Sequence, residues 1–232
     1  MSDSSSTTHV RADFEAERLD MVARQIRARG IRDERVLDAM QTVPRHLFVP
    51  PEQIDAAYAD QALPIGEGQT ISQPFIVAAI AQALSLEGHE RVLEIGGGSG
   101  YQAAVLSRLA HEVICIERKP ALAGAARERL ASLGCENVRI EEGDGSAGWL
   151  SSAPYDAILV SAAAPSVPQP LVDQLAEGGR LVIPVGPSEH QDLLRITKRD
   201  GRFSQESVCA CRFVPLLGRY GWRENYQEAS RE

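Results

Sequence analysis

Val92-Leu-Glu-Ile-Gly-Gly-Gly-Ser-Gly-Tyr101 decides the fold of this chain: a short apolar run ends in an acidic residue, passes through a glycine turn and enters a segment with helical spacing. Residues 91–95 read as a strand whose end carries Glu94. Gly96, Gly98 and Gly100 follow, where side chains would block the close approach of a ligand to backbone. Across 101–110, Ala104, Val105, Leu106 and Leu109 form one apolar face, so a ligand in the turn would lie beside a helix N-terminus. The dinucleotide fingerprint G-x-G-x-x-G would need glycine at 101. Tyr101 stands there instead, and Glu94 puts a carboxylate where a pyrophosphate would be repelled. A nucleotide-sized ligand of cationic character suits these residues better; the alternative is a plain glycine-rich strand-to-helix connection.

Working outward, residues 111–116 form a second short strand ending at Glu117, about 20 residues past the first glycine, where an acid can bond ribose hydroxyls. A third strand, 137–140, runs into Glu141-Glu-Gly-Asp-Gly145, and Asp144, with Gly145 beside it, could accept from an adenine amino group. Each acid alone is more often a solvated strand end. After three successive strands, together they outline one adenosyl ligand. Strands at 155–161 and 180–184 continue the alternation with helices, which predicts an α/β fold with a doubly wound, mostly parallel sheet. Two last apolar runs, 192–198 and 206–214, are joined by Arg199-Asp-Gly-Arg202, a hairpin signal that makes them an antiparallel pair at the sheet edge.

Ahead of the sheet, Leu19, Val22, Ala23 and Ile26 recur at helical spacing over 14–29 and stop at Gly30, a C-terminal cap. A second helix is expected over 33–42, ended by Pro44, with 45–51 extended. The chain thus divides into a Ser/Thr-rich tail (1–12) with little to bury, expected to be disordered, one domain (13–217) and a polar tail (218–232). Within the domain, 13–88 supplies N-terminal helices and a substrate loop, and 89–217 the cofactor-binding body. Trp222 and Tyr226 in the last tail are expected to be exposed or loosely packed.

A chain of 232 residues, 44% hydrophobic, can bury most of its unfolded surface as one domain. Its formal net charge of -8 argues against nucleic acid, because an acidic surface repels phosphates and no Lys/Arg run offsets it. No apolar run approaches the ~20 residues of a membrane helix, and the first residues lack signal architecture, so no membrane association and a cytoplasmic, monomeric protein are expected. Cys115, Cys135, Cys209 and Cys211 are too scattered for a disulfide framework. Cys209 and Cys211 would share a strand face, yet no second pair or nearby histidine completes a metal site, and none is expected.

The pattern Glu94, Gly96, Gly98, Gly100 resembles the E-x-G-x-G-x-G of S-adenosylmethionine-dependent methyltransferases. The resemblance implies that Glu94 and the glycines lie near the methionine part of the cofactor, with Glu117 on the ribose and Asp144 on the adenine; Tyr101, directly after the turn, is counted among the cofactor-binding residues. Residues 159–165, Leu-Val-Ser-Ala-Ala-Ala-Pro, offer no partner for an amine acceptor. The acceptor must be read from Ala62-Leu-Pro-Ile-Gly-Glu-Gly-Gln-Thr-Ile-Ser-Gln-Pro-Phe75, a non-periodic loop closed by Pro74 in the first turn of a helix over 75–84. On physics alone, Ser72 reads as an N-cap.

Gly68-Gln-Thr-Ile-Ser-Gln-Pro74, with Val43-Pro-Arg-His-Leu-Phe-Val49 upstream and Arg212-Phe-Val-Pro-Leu216 downstream, resembles the protein-L-isoaspartate O-methyltransferase family over about residues 20–217. Gly97 departs from it, where threonine is usual. The resemblance implies methyl transfer from S-adenosylmethionine to the free carboxylate of L-isoaspartyl, or less efficiently D-aspartyl, residues in damaged proteins. It matches Ser72 to the family's active-site serine and sets Ile71 and Val214 beside the substrate backbone. A carboxylic acid with a pKa near ~4 is ionised at neutral pH, so the absence of a positioned histidine is no objection. Two rival readings are a methyltransferase acting on another peptide carboxylate and a noncatalytic cofactor-binding protein.

Overall fold

The computed structural model describes residues 14–223; the tail expected to be disordered, and Tyr226, lie outside the described residues. The chain enters as α1 (Phe14–Asp20), widens into a π-helical stretch (Met21–Ile26) and tightens into a 3-10 turn (Arg27–Arg29). The expected helix over 14–29 is therefore present but changes its hydrogen-bond pitch twice. It stops at Gly30, whose φ of 101° only glycine adopts cheaply. Next, α2 (Glu34–Thr42) is capped by Asp33, whose side chain accepts from the amides of Arg35 and Val36.

Two expectations fail ahead of the sheet. Residues 45–51 are not extended: Arg45–Phe48 and Pro51–Ala56 wind into 3-10 turns, each entered from a proline, Pro44 and Pro50, in extended conformation. Nor is 62–75 a shapeless loop. It forms a hairpin of β1 (Leu63–Gly66) and β2 (Gln69–Ile71), and Glu67 and Gly68 between them both have positive φ, as a two-residue hairpin turn requires. After the hairpin comes α3 (Pro74–Leu84).

Strands and helices then alternate: β3 (Arg91–Ile95), α4 (Tyr101–Ser107), β4 (Glu112–Glu117), α5 (Pro120–Ser132), β5 (Val138–Glu142), β6 (Tyr155–Val160), α6 (Gln169–Asp173), β7 (Leu175–Val185), β8 (Gln191–Arg199) and β9 (Arg202–Cys211). They build one seven-stranded sheet in the order β5-β4-β3-β6-β7-β8-β9. The first five strands run parallel, and β8 and β9 form the antiparallel edge hairpin, with Asp200 and Gly201 at positive φ in its turn. β7 begins earlier than its apolar run because Leu175 already pairs with Tyr155 before an irregularity. β9 ends at Cys211 rather than 214.

Alternation along each parallel strand feeds two cores. Val92, Val113 and Leu159 pack with the N-terminal helices, α3 and α4, while Leu93, Ile95, Ile158 and Leu171 fill the opposite face. The order of the sheet reverses about β3, which is flanked by β4 and β6. In open α/β sheets a crevice opens at the carboxyl ends of strands at such a point, and the glycine turn sits there. No helix of the described residues is long and apolar enough to cross a membrane.

Candidate functional site

A cleft with about 880 Å³ of empty space, open mouth included, lies at the carboxyl ends of β3, β4 and β6. Its floor is the glycine turn. One wall comes from Gln69 to Ser72 on and after β2, another from residues 214–217, and Gly143, Gly145, Ser161 and Ala162 close the remaining sides.

Glu94, next to last in β3, has no exposed surface, and neither carboxylate oxygen has a nitrogen or oxygen hydrogen-bond partner, the Cys115 thiol being its polar neighbour on β4. Burial pushes its pKa up to about 8; the Cys115 thiol favours the anion and the nearby Glu117 charge opposes it. Cys115 is Glu94's paired residue on β4, itself fully buried. It also explains the glycine at 97, because a Cβ there would lie 2.4 Å from the Cys115 sulfur. The Gly97 departure is thus matched to a cysteine underneath.

Glu117 ends β4 and is pinned by two amides, Gly98 N to Oε2 and Lys119 N to Oε1, each at 2.8 Å. Each oxygen keeps a second lone pair for a hydroxyl. Tyr101 lines the cleft with its ring edge-on to Phe48 at 5.3 Å between centroids. The buried Arg45 guanidinium stands 5.0 Å from the same ring, and burial pushes the Tyr101 phenol up to about 12. Gln102, beside it in the first turn of α4, is buried, lines the cleft and has an Nε2 with no partner. Sequence reasoning missed it, although its place directly after the glycine turn was a usable signal.

Two expected contacts do not line the cleft. Gly100 caps α4 in a left-handed conformation and faces Ala126 and Leu130 of α5 rather than the cleft. Asp144 does not line the cleft either, though its neighbours Gly143 and Gly145 do. Its side chain folds back to cap the following turn, Oδ1 accepting from Ser146 N at 2.9 Å and Oδ2 from Arg219 N at 2.8 Å. Burial alone would raise its pKa, but the amides of Arg219 and Ser146 outweigh it and hold the carboxyl below its ordinary value. As with Glu117, each oxygen keeps a second lone pair, so the two amides fix the orientation of Asp144 without excluding an adenine amino group.

Ser72 is no cap: the N-cap of α3 is Gln73, with no side-chain cap bond, and Pro74 follows in the first turn. Gln73 instead donates to Asp60 Oδ1 at 2.8 Å, which fixes the start of the helix. Ser72 lines the cleft together with Ile71 and Val214, so the acceptor-side trio stands on the same cavity as Glu94 and Glu117.

The donor set tests what the cleft can hold. A buried pair of orphaned carboxylate oxygens near an orphaned amide N–H suits the ammonium and carboxylate of an α-amino acid; each would be costly left empty. Glu117 suits a diol, and Ile95, Ile116, Gly143, Gly145 and Leu217 leave an apolar slot. An aminoacyl nucleoside such as S-adenosylmethionine fits this order of groups.

The family model described as protein-L-isoaspartate(D-aspartate) O-methyltransferase matches residues 16–221. A protein-L-isoaspartate O-methyltransferase of Methanoculleus marisnigri is 56% identical over 89% of this chain and 94% of its own length. One of Methanoregula boonei is 55% identical over 94% and 99%. Among solved structures, a protein-L-isoaspartate O-methyltransferase superposes with a TM-score of 0.79 at 30% identity, covering 92% of this chain and 69% of that one. A Plasmodium falciparum structure described as a β-aspartate methyltransferase in complex with S-adenosyl-L-homocysteine has a TM-score of 0.75 at 26% identity, covering 86% and 98%.

Proposed function

The chain belongs to the protein-L-isoaspartate(D-aspartate) O-methyltransferase family, and from that premise we propose how its own residues carry methyl transfer to the free carboxylate of isoaspartyl residues in damaged proteins. S-adenosylmethionine, when bound, supplies the methyl group on a positively charged sulfur. Glu94 and Gln102 take its amino-acid end, Glu117 its ribose, and the turn at Gly96 and Gly98 its close approach to backbone. Tyr101, braced by Phe48 and Arg45, walls the methionine side.

The acceptor carboxylate is ionised at neutral pH, so the protein has no proton to remove and its task is alignment. Ser72 donates its hydroxyl to one carboxylate oxygen and leaves the other aimed at the methyl group. Ile71 and Val214 flank the isoaspartyl backbone from opposite walls. The β1–β2 hairpin screens the reacting charges from water, which matters because an anion and a cation neutralise each other in the transition state. Methoxide leaves an ester carbonyl far more readily than oxide leaves a carboxylate, so the neighbouring backbone nitrogen loses its proton, bonds to that carbonyl carbon and expels methanol, closing a succinimide. Hydrolysis of that ring restores some normal aspartate.

The observation that carries the acceptor assignment is Ser72, released from capping and set on the same cleft as the unpartnered Glu94. Methyl transfer to an isoaspartyl peptide against its aspartyl twin tests it: turnover of the first alone is expected, and equal turnover of both would sink the assignment. The four cysteines are unpaired, which supports a reducing compartment, proposed to be the cytoplasm. A monomer is proposed too, and light scattering checks it.

A further inference from the structure

We infer that Cys115 is a positioning residue for the cofactor: its thiol, lying under the glycine turn, supplies Glu94 with the hydrogen bond it otherwise lacks, and that bond reverses direction when Glu94 takes the cofactor ammonium. The inference rests on the cofactor reading above. Glu94 is paired across the sheet with Cys115 on β4 and Leu159 on β6, and all three are fully buried. Leu159 is apolar, so of these two neighbours only the thiol can answer the carboxyl group. It can do so in both protonation states, because sulfur accepts weakly and S–H donates weakly. With Glu94 protonated, the acid O–H donates to Sγ. With Glu94 ionised against an ammonium, the S–H donates to the carboxylate, and this second bond is the stronger because its acceptor is charged. Cys115 thereby favours the anion that the ammonium needs, while the charge of Glu117, at the end of β4, opposes it.

The glycine turn is shaped around this sulfur. A Cβ on Gly97 would lie 2.4 Å from Cys115 Sγ, whereas the next atom it would meet, Glu117 Cβ, is 3.7 Å away. Gly96, Gly98 and Gly100 take φ values of 87°, 52° and 86°, in the left-handed region, and Gly97 does not. Space rather than backbone conformation therefore keeps position 97 a glycine, and the sulfur occupies that space. Gly97 lines the cleft and Cys115 does not, so the thiol stands one layer behind the ligand. Burial and the neighbouring Glu94 and Glu117 carboxylates push its pKa well above the ordinary thiol value, so it keeps the S–H that it donates.

The S–H stretch in Raman difference spectra, taken with and without S-adenosylhomocysteine at pH 7, reads the bond itself. Among the four free cysteines, the Cys115 band is the one lost in Cys115→Ser. It is expected to move to lower frequency when the ligand binds, as a thiol does on donating to a carboxylate. Calorimetry across pH reads the consequence. In Cys115→Ala the Kd at pH 7 should rise about three- to tenfold, and its ratio to the parental Kd should return to one well above pH 8, where Glu94 is ionised before binding in both proteins. A packing defect would instead weaken binding by the same factor at every pH. Cys115→Ser keeps a donor at that place and should stay within about twofold of the parent. Gly97→Ala should weaken binding roughly tenfold in the parent, from crowding against the sulfur, and cost little in the Cys115→Ala background. An S–H band unmoved by bound ligand would overturn the inference, as would a Kd ratio independent of pH or a Gly97→Ala penalty that ignores the sulfur. Failure of the parent to bind S-adenosylhomocysteine at all would overturn the cofactor reading and this inference with it, whereas normal binding over a silent thiol overturns the inference alone.

Discussion

Glu94 sits fully buried with its pKa pushed up to about 8, so without ligand it holds a proton at neutral pH. Below about 4.5, its ordinary value, folded and unfolded chains both carry that proton and nothing changes with pH. From there to about 8 the unfolded chain ionises while the folded one does not, so ligand-free stability falls as pH rises. An ammonium set against the carboxylate reverses this by favouring the anion. Binding S-adenosylhomocysteine at pH 7 is therefore expected to release a proton, seen as different calorimetric heats in phosphate and in Tris, and affinity should rise toward pH 8 and then level. Glu94→Gln should abolish the release and weaken binding by about 1.5–3 kcal/mol; equal heats in both buffers for the parent would remove the assignment. Ser72→Ala is expected to leave that affinity intact and lose most of the turnover on isoaspartyl peptide, roughly 10- to 100-fold for one bond to a charged group. Glu117→Ala should instead weaken cofactor binding about tenfold for its lost charged contact, and unchanged calorimetric affinity would end its ribose role. Glu94 and Glu117 could be placed on the cleft from sequence because strand ends and a glycine turn have fixed spacing, whereas Ser72 reads on its own residues as a cap and is set beside the acceptor only by the family resemblance. The hold of Asp144 on the Arg219 amide could not, since that partner is distant in the chain.

Among elements, what was legible followed the range of the interactions that form each one. The parallel strands, α3 and the Asp200-Gly201 hairpin carry their own periodicity or turn chemistry, and they stand close to where these place them. The β1–β2 hairpin does not: β1 contains Pro64, β2 has three residues, and their pairing is irregular between Pro64 and Gly66. The hairpin gains its place from burial of Leu63 and Ile71 in the core rather than from alternation. Its importance lies in Ile65, whose Cδ1 would stand 3.3 Å from a Cβ on Gly98, so the hairpin closes directly onto the glycine turn. Gly98 has a φ of 52°, which an L-residue reaches at a cost of about 1–2 kcal/mol. Gly98→Ala is thus expected to weaken S-adenosylhomocysteine binding roughly tenfold, from strain plus displacement of Ile65. Adding Ile65→Ala should return the part due to the contact and leave the strain. Calorimetry on the double variant checks this, and no recovery would show that the hairpin does not press on the turn.

For the molecule as a whole, the acidic excess bears on which damaged proteins are met most often. A net charge of -8 gives a field that repels acidic peptides and draws basic ones, over a distance set by salt. At the mouth of the cleft the charges offset locally, Lys119 lying 3.9 Å from Glu67, so the long-range excess is what an approaching peptide feels. On the proposed placement of the reacting carboxylate by Ser72 within the walls, the chemical step is shielded from this field. Two isoaspartyl peptides differing only in distant flanking charge should therefore share one kcat and differ in KM, the basic one being lower. The Debye length falls from about 30 Å at 0.01 M salt to about 3 Å at 1 M, so the KM ratio measured across that range should collapse toward one. A ratio that ignores salt would mean that flanking residues are read by contact on the rim of the cleft, and a ratio carried in kcat would place them against the reacting groups.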